Sequence, residues 1–301
     1  MERAYLGQTG IRVSRVILGC GNFGGIGSSP AFFGQGESRE QAFELMDAAW
    51  ELGIRTFDTA DAYGGGRSET YIGEWLRSRK PDDIVLSTKT FNPMEEGADR
   101  GLAPDRVKRQ VDSSLGRLGV ERVDMFVTHD WDDDVPIAET AGALDELVAA
   151  GKIGAYGLSN VDARQLREAL DAGAFGWVQN EYSLLERGAE QEVLPLCAER
   201  GLGFTPFSPL AGGWLTGKYR RGEELPAGSR MTMRPEPYEH LRTNAVFDQL
   251  EELERQAAER GVAIATLAIE FLLRDPRITA VIVGPRRPGH LTPIVDALTN
   301  L

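Results

Sequence analysis

The sequence alternates short apolar segments with amphipathic segments of helical length, and this alternation constrains the fold more than any other feature. Eight apolar segments have the length and composition of buried strands, and nearly every one is followed at once by a predicted helix. Strands separated by helices pair in parallel, because each helix returns the chain to the starting edge of the sheet. Eight such units predict a closed (β/α)8 TIM barrel, with a doubly wound open sheet as the alternative.

The predicted elements cover the whole chain. The strands, in order, are RVILGC, IRTFDTA, DIVLSTK, RVDMFVTH, IGAYGLSN, WVQNEY, LGFTPFS and TAVIVG. Residues 5–16 precede them and predict an N-terminal β-hairpin around a glycine turn. No Pro-rich linker or low-complexity tract divides the chain, so we expect residues 1–301 to form one barrel domain. Segment 219–243 is rich in Pro, Gly and Arg, and we expect it to form a flap loop.

Composition argues against several classes of protein. The formal net charge of −13 does not suit a nucleic-acid surface, which needs clustered Lys and Arg. No apolar run approaches membrane length, and the N-terminus MERAYLGQTG lacks an apolar signal core, so we expect a cytoplasmic protein without membrane contact. The two cysteines, Cys20 and Cys197, make neither a disulfide framework nor a metal-ligand spacing, and no metal site is expected.

The stretch GCGNFG, residues 19–24, matches the glycine pattern of dinucleotide-binding sheets. In that fingerprint a helix begins inside the glycine turn, so that its N-terminus meets the pyrophosphate. Here the next predicted helix begins only near Ser38, and the acid about 20 residues further on, Glu44, lies inside that helix. We therefore interpret GCGNFG as a glycine-rich loop on the catalytic face of a barrel, where backbone can approach a ligand closely.

Four polar side chains lie at or just beyond the carboxyl ends of three successive strands, where barrel enzymes carry their catalytic groups. Asp58 ends the second strand, Tyr63 follows it, Lys89 ends the third strand and His129 the fourth. Such a set can protonate a carbonyl oxygen: an ammonium lowers the pKa of a phenol, a carboxylate holds the ammonium, and an imidazole orients the carbonyl. None of these groups supplies a hydride, so a nicotinamide coenzyme is required. Taken singly, each residue has a structural alternative as an ion pair, a loop aromatic or a solvated histidine.

Seven motifs occur in order along the chain: FDTADAYGGG, LSTK, VTHDW, GKIGAYGLSN, VQNEYSLLER, FSPLAGGWLTGK and VIVG. With them the sequence resembles the aldo-keto reductase family from the hairpin to the last helix. The likeness is closest to the longer-chain bacterial branch, which is related to potassium-channel β subunits. The resemblance implies a reversible NADPH-dependent reduction of an aldehyde or ketone to an alcohol. It also leaves open a regulatory protein that holds the coenzyme, as channel β subunits do.

The resemblance also implies roles for individual residues. Tyr63 matches the general acid, Asp58 and Lys89 the pair that tunes it, and His129 the residue that orients the carbonyl. The positions that match coenzyme-binding residues are Gly21, Asn22, Asp58, Ser159, Asn160, Gln179, Phe207, Ser208, Leu210, Gly212, Lys218, Arg286 and His290. The positions that match the substrate pocket are Phe23, Trp131 and Trp214, of which the two tryptophans could equally be core aromatics.

The chain departs from the family pattern on the adenine side of the expected coenzyme site. Pro293 and Ile294 stand where the family usually carries Glu and Asn. Arg286, Arg287 and His290 are suited to a 2′-phosphate, because guanidinium groups match phosphate geometry. The sequence therefore favours NADPH over NADH, and it leaves the substrate and the oligomeric state open.

Overall fold

A computed structural model describes all 301 residues of the protein. The strands are β1 Arg3–Tyr5, β2 Arg12–Ser14, β3 Val16–Gly19, β4 Thr56–Asp58, β5 Val85–Thr90, β6 Val123–Thr128, β7 Ile153–Ser159, β8 Trp177–Gln179, β9 Gly203–Phe204 and β10 Val281–Val283. The helices are α1 Arg39–Glu51, α2 Arg67–Arg79, α3 Pro104–Leu118, α4 Ile137–Ala149, α5 Ala163–Ala172, α6 Val193–Arg200, α7 Arg230–Met233, α8 Asn244–Arg260, α9 Ile264–Arg274 and α10 Thr292–Thr299. None of the helices is both long and apolar enough to span a bilayer.

Strands β3 to β10 form one parallel sheet in the order β10-β3-β4-β5-β6-β7-β8-β9. Two backbone hydrogen bonds join the edges of this sheet: Ile282 donates its N–H to the carbonyl of Pro206 (2.9 Å) and Thr279 to that of Phe204 (2.9 Å). The predicted (β/α)8 TIM barrel is confirmed. Strand β9 is shorter than predicted.

The predicted hairpin is confirmed as the antiparallel pair of β1 and β2, although its strands begin and end at different residues from those expected. Its side chains pack into the amino-terminal end of the barrel, where Leu6 and Val13 join inward-facing residues of the strands. That buried cluster comprises Leu6, Val13, Ile17, Met125, Val127, Trp177, Ala280 and Ile282. The barrel interior is therefore filled with apolar side chains, and the hairpin covers the end opposite the carboxyl ends of the strands.

The main core lies between the ring of strands and the surrounding helices, and it contains 49 buried residues. Local chemistry marks the ends of some of these helices. Ser38 caps α1 through the predicted capping box, in which its backbone N–H donates to Gln41 Oε1 at 2.8 Å. Gly119 ends α3 in the left-handed conformation that glycine adopts at low cost. Short connections then bring the chain back to the next strand and fix where each strand-end side chain lies.

Helices α2 and α3 pack closely at Gly73, and a larger side chain at this contact should lower the stability of the fold. A Cβ atom at Gly73 would lie 2.4 Å from the carbonyl oxygen of Arg117 and 2.7 Å from that of Leu118. We expect Gly73→Ala to lower the free energy of unfolding by about 1–3 kcal/mol, because the backbone of α3 must move. Denaturant unfolding followed by circular dichroism measures the effect.

Gly116→Ala is the matched control, since Gly116 lies inside α3 and a Cβ there meets no atom within 4 Å. It should raise the free energy of unfolding by about 0.5–1 kcal/mol through helix propensity alone. Equal effects of the two substitutions would show that close packing does not explain the glycine at 73.

Candidate active site

The four predicted catalytic residues come together at the carboxyl end of the barrel. Asp58 ends β4, Lys89 lies in β5, and His129 follows β6 directly, so three adjacent parallel strands deliver them to one face. Tyr63 begins a tight turn of three glycines between β4 and α2. Lys89 Nζ lies 2.5 Å from Asp58 Oδ2 and 3.3 Å from Tyr63 Oη, and Tyr63 Oη lies 3.4 Å from His129 Nε2.

The Lys89 ammonium is buried, with 1% of its surface exposed, and all three of its N–H groups have acceptors. It donates to Asp58 Oδ2, to the carbonyl oxygen of Thr59 (2.7 Å) and to Tyr63 Oη. Burial opposes the charge, but the attraction of Asp58 and these hydrogen bonds outweigh it, so the pKa of Lys89 is raised. Asp58 is held in turn, because its Oδ1 accepts from Ser87 Oγ at 2.8 Å.

The Tyr63 phenol keeps its proton at neutral pH. Burial raises the pKa of Tyr63 and is the largest influence on it, while the positive charge of Lys89 lowers it. The lowering by Lys89 that the sequence predicts is therefore present, but the net shift has the opposite sign. The reason is that burial, which withdraws the phenolate from water, outweighs the attraction of the ammonium. Tyr63 Oη accepts a hydrogen bond from Lys89, so its own proton is free for another acceptor.

The His129 imidazole is neutral. Burial, and then the charge of Lys89, hold the pKa of His129 well below its usual value. Its main-chain carbonyl accepts a hydrogen bond from Asn160 Nδ2 (2.9 Å), which ties the end of β6 to the end of β7. Tyr63 and His129 rings meet edge to face, with centroids 5.4 Å apart. The site thus has one buried ion pair beneath two neutral polar groups.

The residues predicted to hold a nicotinamide carboxamide lie together beside this group. Ser159 Oγ donates to the carbonyl oxygen of Gln179 (2.7 Å), and Asn160 Nδ2 lies 3.3 Å from Ser159 Oγ. Gln179 Nε2 donates to Asp58 Oδ1 at 3.2 Å and links the two sets. Asn160 adopts a left-handed conformation with φ of 58°, which asparagine tolerates better than most residues.

The loop after β9 curves through several left-handed residues, including Ser208 and Gly212. Tyr238, from segment 219–243, lies against this loop, and its hydroxyl is 2.8 Å from Ser208 Oγ. A Cβ atom at Gly212 would lie 2.4 Å from the Tyr238 ring, so only glycine fits there without displacing the ring. Phe207 and Leu210 of the same loop are partly buried against the apolar clusters beneath.

Three cations, Lys218, Arg230 and Arg286, lie close enough to affect one another. Burial and then the charges of Arg286 and Arg230 lower the pKa of Lys218, and burial lowers that of Arg230. In a chain with a net charge of −13, such a concentration of positive charge suits a ligand with several negative charges. The donor set therefore fits the phosphates of a nicotinamide dinucleotide.

Segment 219–243 crosses the mouth of the barrel between the first and the last strand-to-helix loops. Arg230 Nη2 donates to Asn22 Oδ1 (2.9 Å), and Arg234 Nη1 donates to the carbonyl oxygen of Ile26 (3.1 Å). From the other side, Arg286 Nη1 donates to the carbonyl oxygen of Gly228 (2.9 Å). Asn22 and Arg286, predicted from sequence as coenzyme contacts, thus hold this segment in place.

Two further predicted positions, and one departure from the family pattern, are placed as follows. Gly21 faces the Tyr63 ring, since a Cβ atom there would lie 3.5 Å from ring carbons. The His290 ring accepts from Arg287 Nε at 3.0 Å, and burial followed by the charge of Arg287 lowers the pKa of His290. Ile294, which stands where the family usually has Asn, is 4% exposed and belongs to the main core.

Two of the three predicted pocket residues are core residues in the structure. Phe23 is 1% exposed and packs in the main core. Trp214 has no exposed surface and packs on Tyr219 and Phe247, with ring centroids 4.9 and 5.5 Å away. Trp214 therefore lies in the core, the alternative that the sequence left open, because α8 and α9 cover its loop with a second apolar cluster. Trp131 is partly buried, with one part against the core.

Sequence reasoning missed Glu37 and Asn92, which touch the predicted site residues Arg286 and His129. It also missed Arg106, which binds the main chain of Asn92. Glu37 is 3% exposed, and its Oε1 accepts from Arg286 Nε at 2.8 Å, while its Oε2 has no hydrogen-bond partner. Burial raises the pKa of Glu37, against the influence of Arg286. No local pattern marks Glu37, because its partner lies 249 residues away in the chain. No group of three or more His, Cys, Asp or Glu side chains in the structure is arranged to hold a metal ion.

The comparison with known proteins agrees with this barrel. The sequence model of the aldo/keto reductase family matches residues 15–301, and the chain belongs to that family. The protein is therefore an oxidoreductase of a family that uses nicotinamide coenzymes and acts on small carbonyl compounds.

Individual relatives include both enzymes and a channel subunit. The NADH-specific methylglyoxal reductase of Escherichia coli is 33% identical over 99% of this chain and 94% of its own. A probable voltage-gated potassium channel subunit beta of Oryza sativa is 32% identical over 99% of this chain and 91% of its own. Among solved structures, a glycerol dehydrogenase from Gluconobacter oxydans superposes with a TM-score of 0.82 at 27% identity, covering 98% of this chain and 89% of that one.

The lowered pKa of His129 predicts an acid-dependent loss of stability. The unfolded chain takes up a proton at this histidine near pH 6.5, whereas the folded protein does so only well below that value. Stability is therefore lost as the pH falls below about 6.5. Between pH 7.5 and 5 the free energy of unfolding should fall by up to about 2 kcal/mol more in the parent protein than in His129→Gln. Urea unfolding at a series of pH values measures the difference, and parallel curves would contradict it.

Proposed function

We propose that the protein catalyses the reversible NADPH-dependent reduction of an aldehyde or ketone to an alcohol, with Tyr63 as the proton donor. One observation supports this above the others. A protonated phenol and a neutral imidazole stand 3.4 Å apart above a buried ammonium, at the carboxyl end of a barrel. The bound coenzyme supplies the hydride to the carbonyl carbon.

The chain's own residues act on the carbonyl oxygen. Tyr63 Oη and His129 Nε2 are close enough to donate to the same oxygen atom, which orients the substrate and stabilises the negative charge that develops on it. Tyr63 then transfers its proton to that oxygen. Lys89, held by Asp58, stabilises the phenolate that remains. In the direction of alcohol oxidation the phenolate is the base, so higher pH favours oxidation.

The coenzyme would lie along the barrel mouth. Ser159, Asn160 and Gln179 would hold the carboxamide, and Lys218 and Arg286 the phosphates. We propose that segment 219–243 is a flap that opens to admit the coenzyme, since its contacts with Asn22, Ser208 and Arg286 cross the same surface. The two free, buried cysteines support a cytoplasmic location, where thiols stay reduced.

A regulatory role is the second candidate function, because a relative with similar coverage is named as a channel subunit. Two results together would support that role and contradict the enzymatic one. NADPH would quench the tryptophan fluorescence, which shows binding, and no aldehyde from a broad panel would be turned over.

Tyr63→Phe tests the proton donor. We expect turnover of aldehydes to fall by about 10²- to 10⁴-fold, because the phenyl ring has no proton to give. NADPH binding should change little, since the hydroxyl contacts Lys89 and His129 rather than the phosphate-binding cations. Absorbance of reduced nicotinamide follows turnover, and fluorescence quenching follows binding. A variant as active as the parent would refute the role of Tyr63.

Glu37→Gln tests the coenzyme preference. The buried carboxylate accepts a hydrogen bond from Arg286 and lies near Arg230. Its negative charge reduces the attraction of these two cations for a 2′-phosphate. Its neutralisation should tighten NADPH binding by about 3- to 10-fold and change NADH binding less, because NADH lacks that phosphate. Calorimetric titration with each coenzyme measures both constants.

Glu40→Gln is the control for a change of charge, since Glu40 is exposed in the first turn of α1, three residues from Glu37. It should leave both affinities unchanged. Equal tightening for the two coenzymes in Glu37→Gln would exclude a 2′-phosphate near Arg286. Tighter binding of NADH than of NADPH by the parent protein would refute the NADPH assignment itself.

A further inference from the structure

We propose that Asn92 is a positioning residue that fixes His129 in the tautomer with its proton on Nε2. The structural part of this proposal stands on the contacts around the imidazole ring. Its catalytic meaning rests on the proposed function, in which His129 donates a hydrogen bond to the substrate.

The contact between the two side chains determines where the imidazole proton can lie. Asn92 Nδ2 is 3.4 Å from His129 Nδ1. An amide NH₂ group can only donate, so Nδ1 must present its lone pair. A neutral imidazole has a single N–H, which then lies on Nε2, the nitrogen that faces Tyr63 Oη.

Asn92 is held in this position from behind by a buried arginine of α3. Arg106 is 3% exposed, and its Nη2 donates to the main-chain carbonyl oxygen of Asn92 at 2.8 Å. Its Nη1 donates to Thr90 Oγ1 (2.8 Å) and to the carbonyl oxygen of Gly101 (2.9 Å). A single rigid guanidinium therefore fixes the chain from the end of β5 through Asn92 to the loop before α3.

The remaining surroundings of His129 leave Asn92 as the group that selects the tautomer. Tyr63, on the turn after β4, has a hydroxyl that can donate or accept and so does not select a tautomer. Lys89, on β5, only repels a second proton on the ring. Asn160, at the end of β7, binds the main-chain carbonyl of His129 and not its ring.

The choice of tautomer matters because the opposite one would turn a donor into an acceptor. With the proton on Nδ1, Nε2 would present a lone pair to the carbonyl oxygen and repel it. A doubly protonated ring would donate, but burial and Lys89 oppose that charge. By fixing this tautomer, Asn92 makes His129 Nε2 a hydrogen-bond donor that carries no charge.

Nitrogen-15 NMR of histidine-labelled protein tests the proposal directly, because the chain has only three histidines. The variants His240→Gln and His290→Gln assign the signals by removal. In the parent protein we expect His129 to be neutral with its proton on Nε2 between pH 6 and 8. A proton on Nδ1 there would overturn the proposal, whether or not any turnover is observed.

Asn92→Asp and Asn92→Ala separate positioning from simple packing. A carboxylate can only accept, so Asn92→Asp should move the proton to Nδ1 or produce the imidazolium. Asn92→Ala removes the donor without favouring the other tautomer. An NMR spectrum of His129 in Asn92→Asp identical to that of the parent would overturn the proposal.

Kinetics give a second readout. Both variants should lower kcat by about 10- to 100-fold with little change in coenzyme affinity. Activity of Asn92→Asp should recover as the pH falls, because the imidazolium can donate from Nε2, whereas Asn92→Ala should not recover. An equal loss in both variants at every pH would indicate packing alone and contradict the proposal. If the parent protein turns over no carbonyl compound, the proposed function fails while the NMR result still decides the tautomer.

Discussion

The buried ammonium of Lys89 is the group on which the rest of the site depends. A lysine with 1% exposure would lose its charge without compensation, and here Asp58, the carbonyl of Thr59 and Tyr63 supply three acceptors. Losing one partner of such a pair leaves an uncompensated buried charge and typically costs about 3–5 kcal/mol. The strands that carry Asp58 and Lys89 are adjacent and in register, so the barrel itself holds the pair together.

The site has two layers: the charged pair of Asp58 and Lys89 below, and the neutral side chains of Tyr63 and His129 above. Tyr63 keeps its proton because burial outweighs the pull of Lys89, and His129 stays neutral because burial and Lys89 both oppose a second charge. Tyr63 and His129 therefore offer two uncharged hydrogen-bond donors on one side of the ion pair. The Lys89 ammonium lies beneath them, where it stabilises the phenolate that remains when Tyr63 gives up its proton. The same arrangement that holds Lys89 charged thus sets the protonation states of both neighbours.

The opposite end of the mouth is organised around cations. Arg286 joins Glu37 to segment 219–243 through one guanidinium, and Arg230 joins the same segment to Asn22. These contacts lie at the surface where we propose that the phosphates of the coenzyme bind.

The sequence by itself determined the eight strand and helix units, because the alternation of strand and helix periods is a local pattern that needs no knowledge of packing. It favoured a barrel over an open sheet, and the structure decided that the sheet closes. It also identified Asp58, Tyr63, Lys89 and His129 as one set, since parallel strands end on a common face. Only the tertiary structure decided the direction of the pKa shift of Tyr63, which depends on how far the folded chain withdraws the phenol from water.

Core packing and the pairing of distant residues likewise could not be predicted from the sequence. Trp214 is in the core because α8 and α9, later in the chain, cover it. The bond of Glu37 to Arg286 spans 249 residues, and the contact of Asn92 with His129 joins two loops, so neither leaves a local signature. Residue types and hydrophobic periods are properties of short segments, so the sequence determines them. Burial and the pairing of distant residues are properties of the closed barrel, so only the tertiary structure decides them.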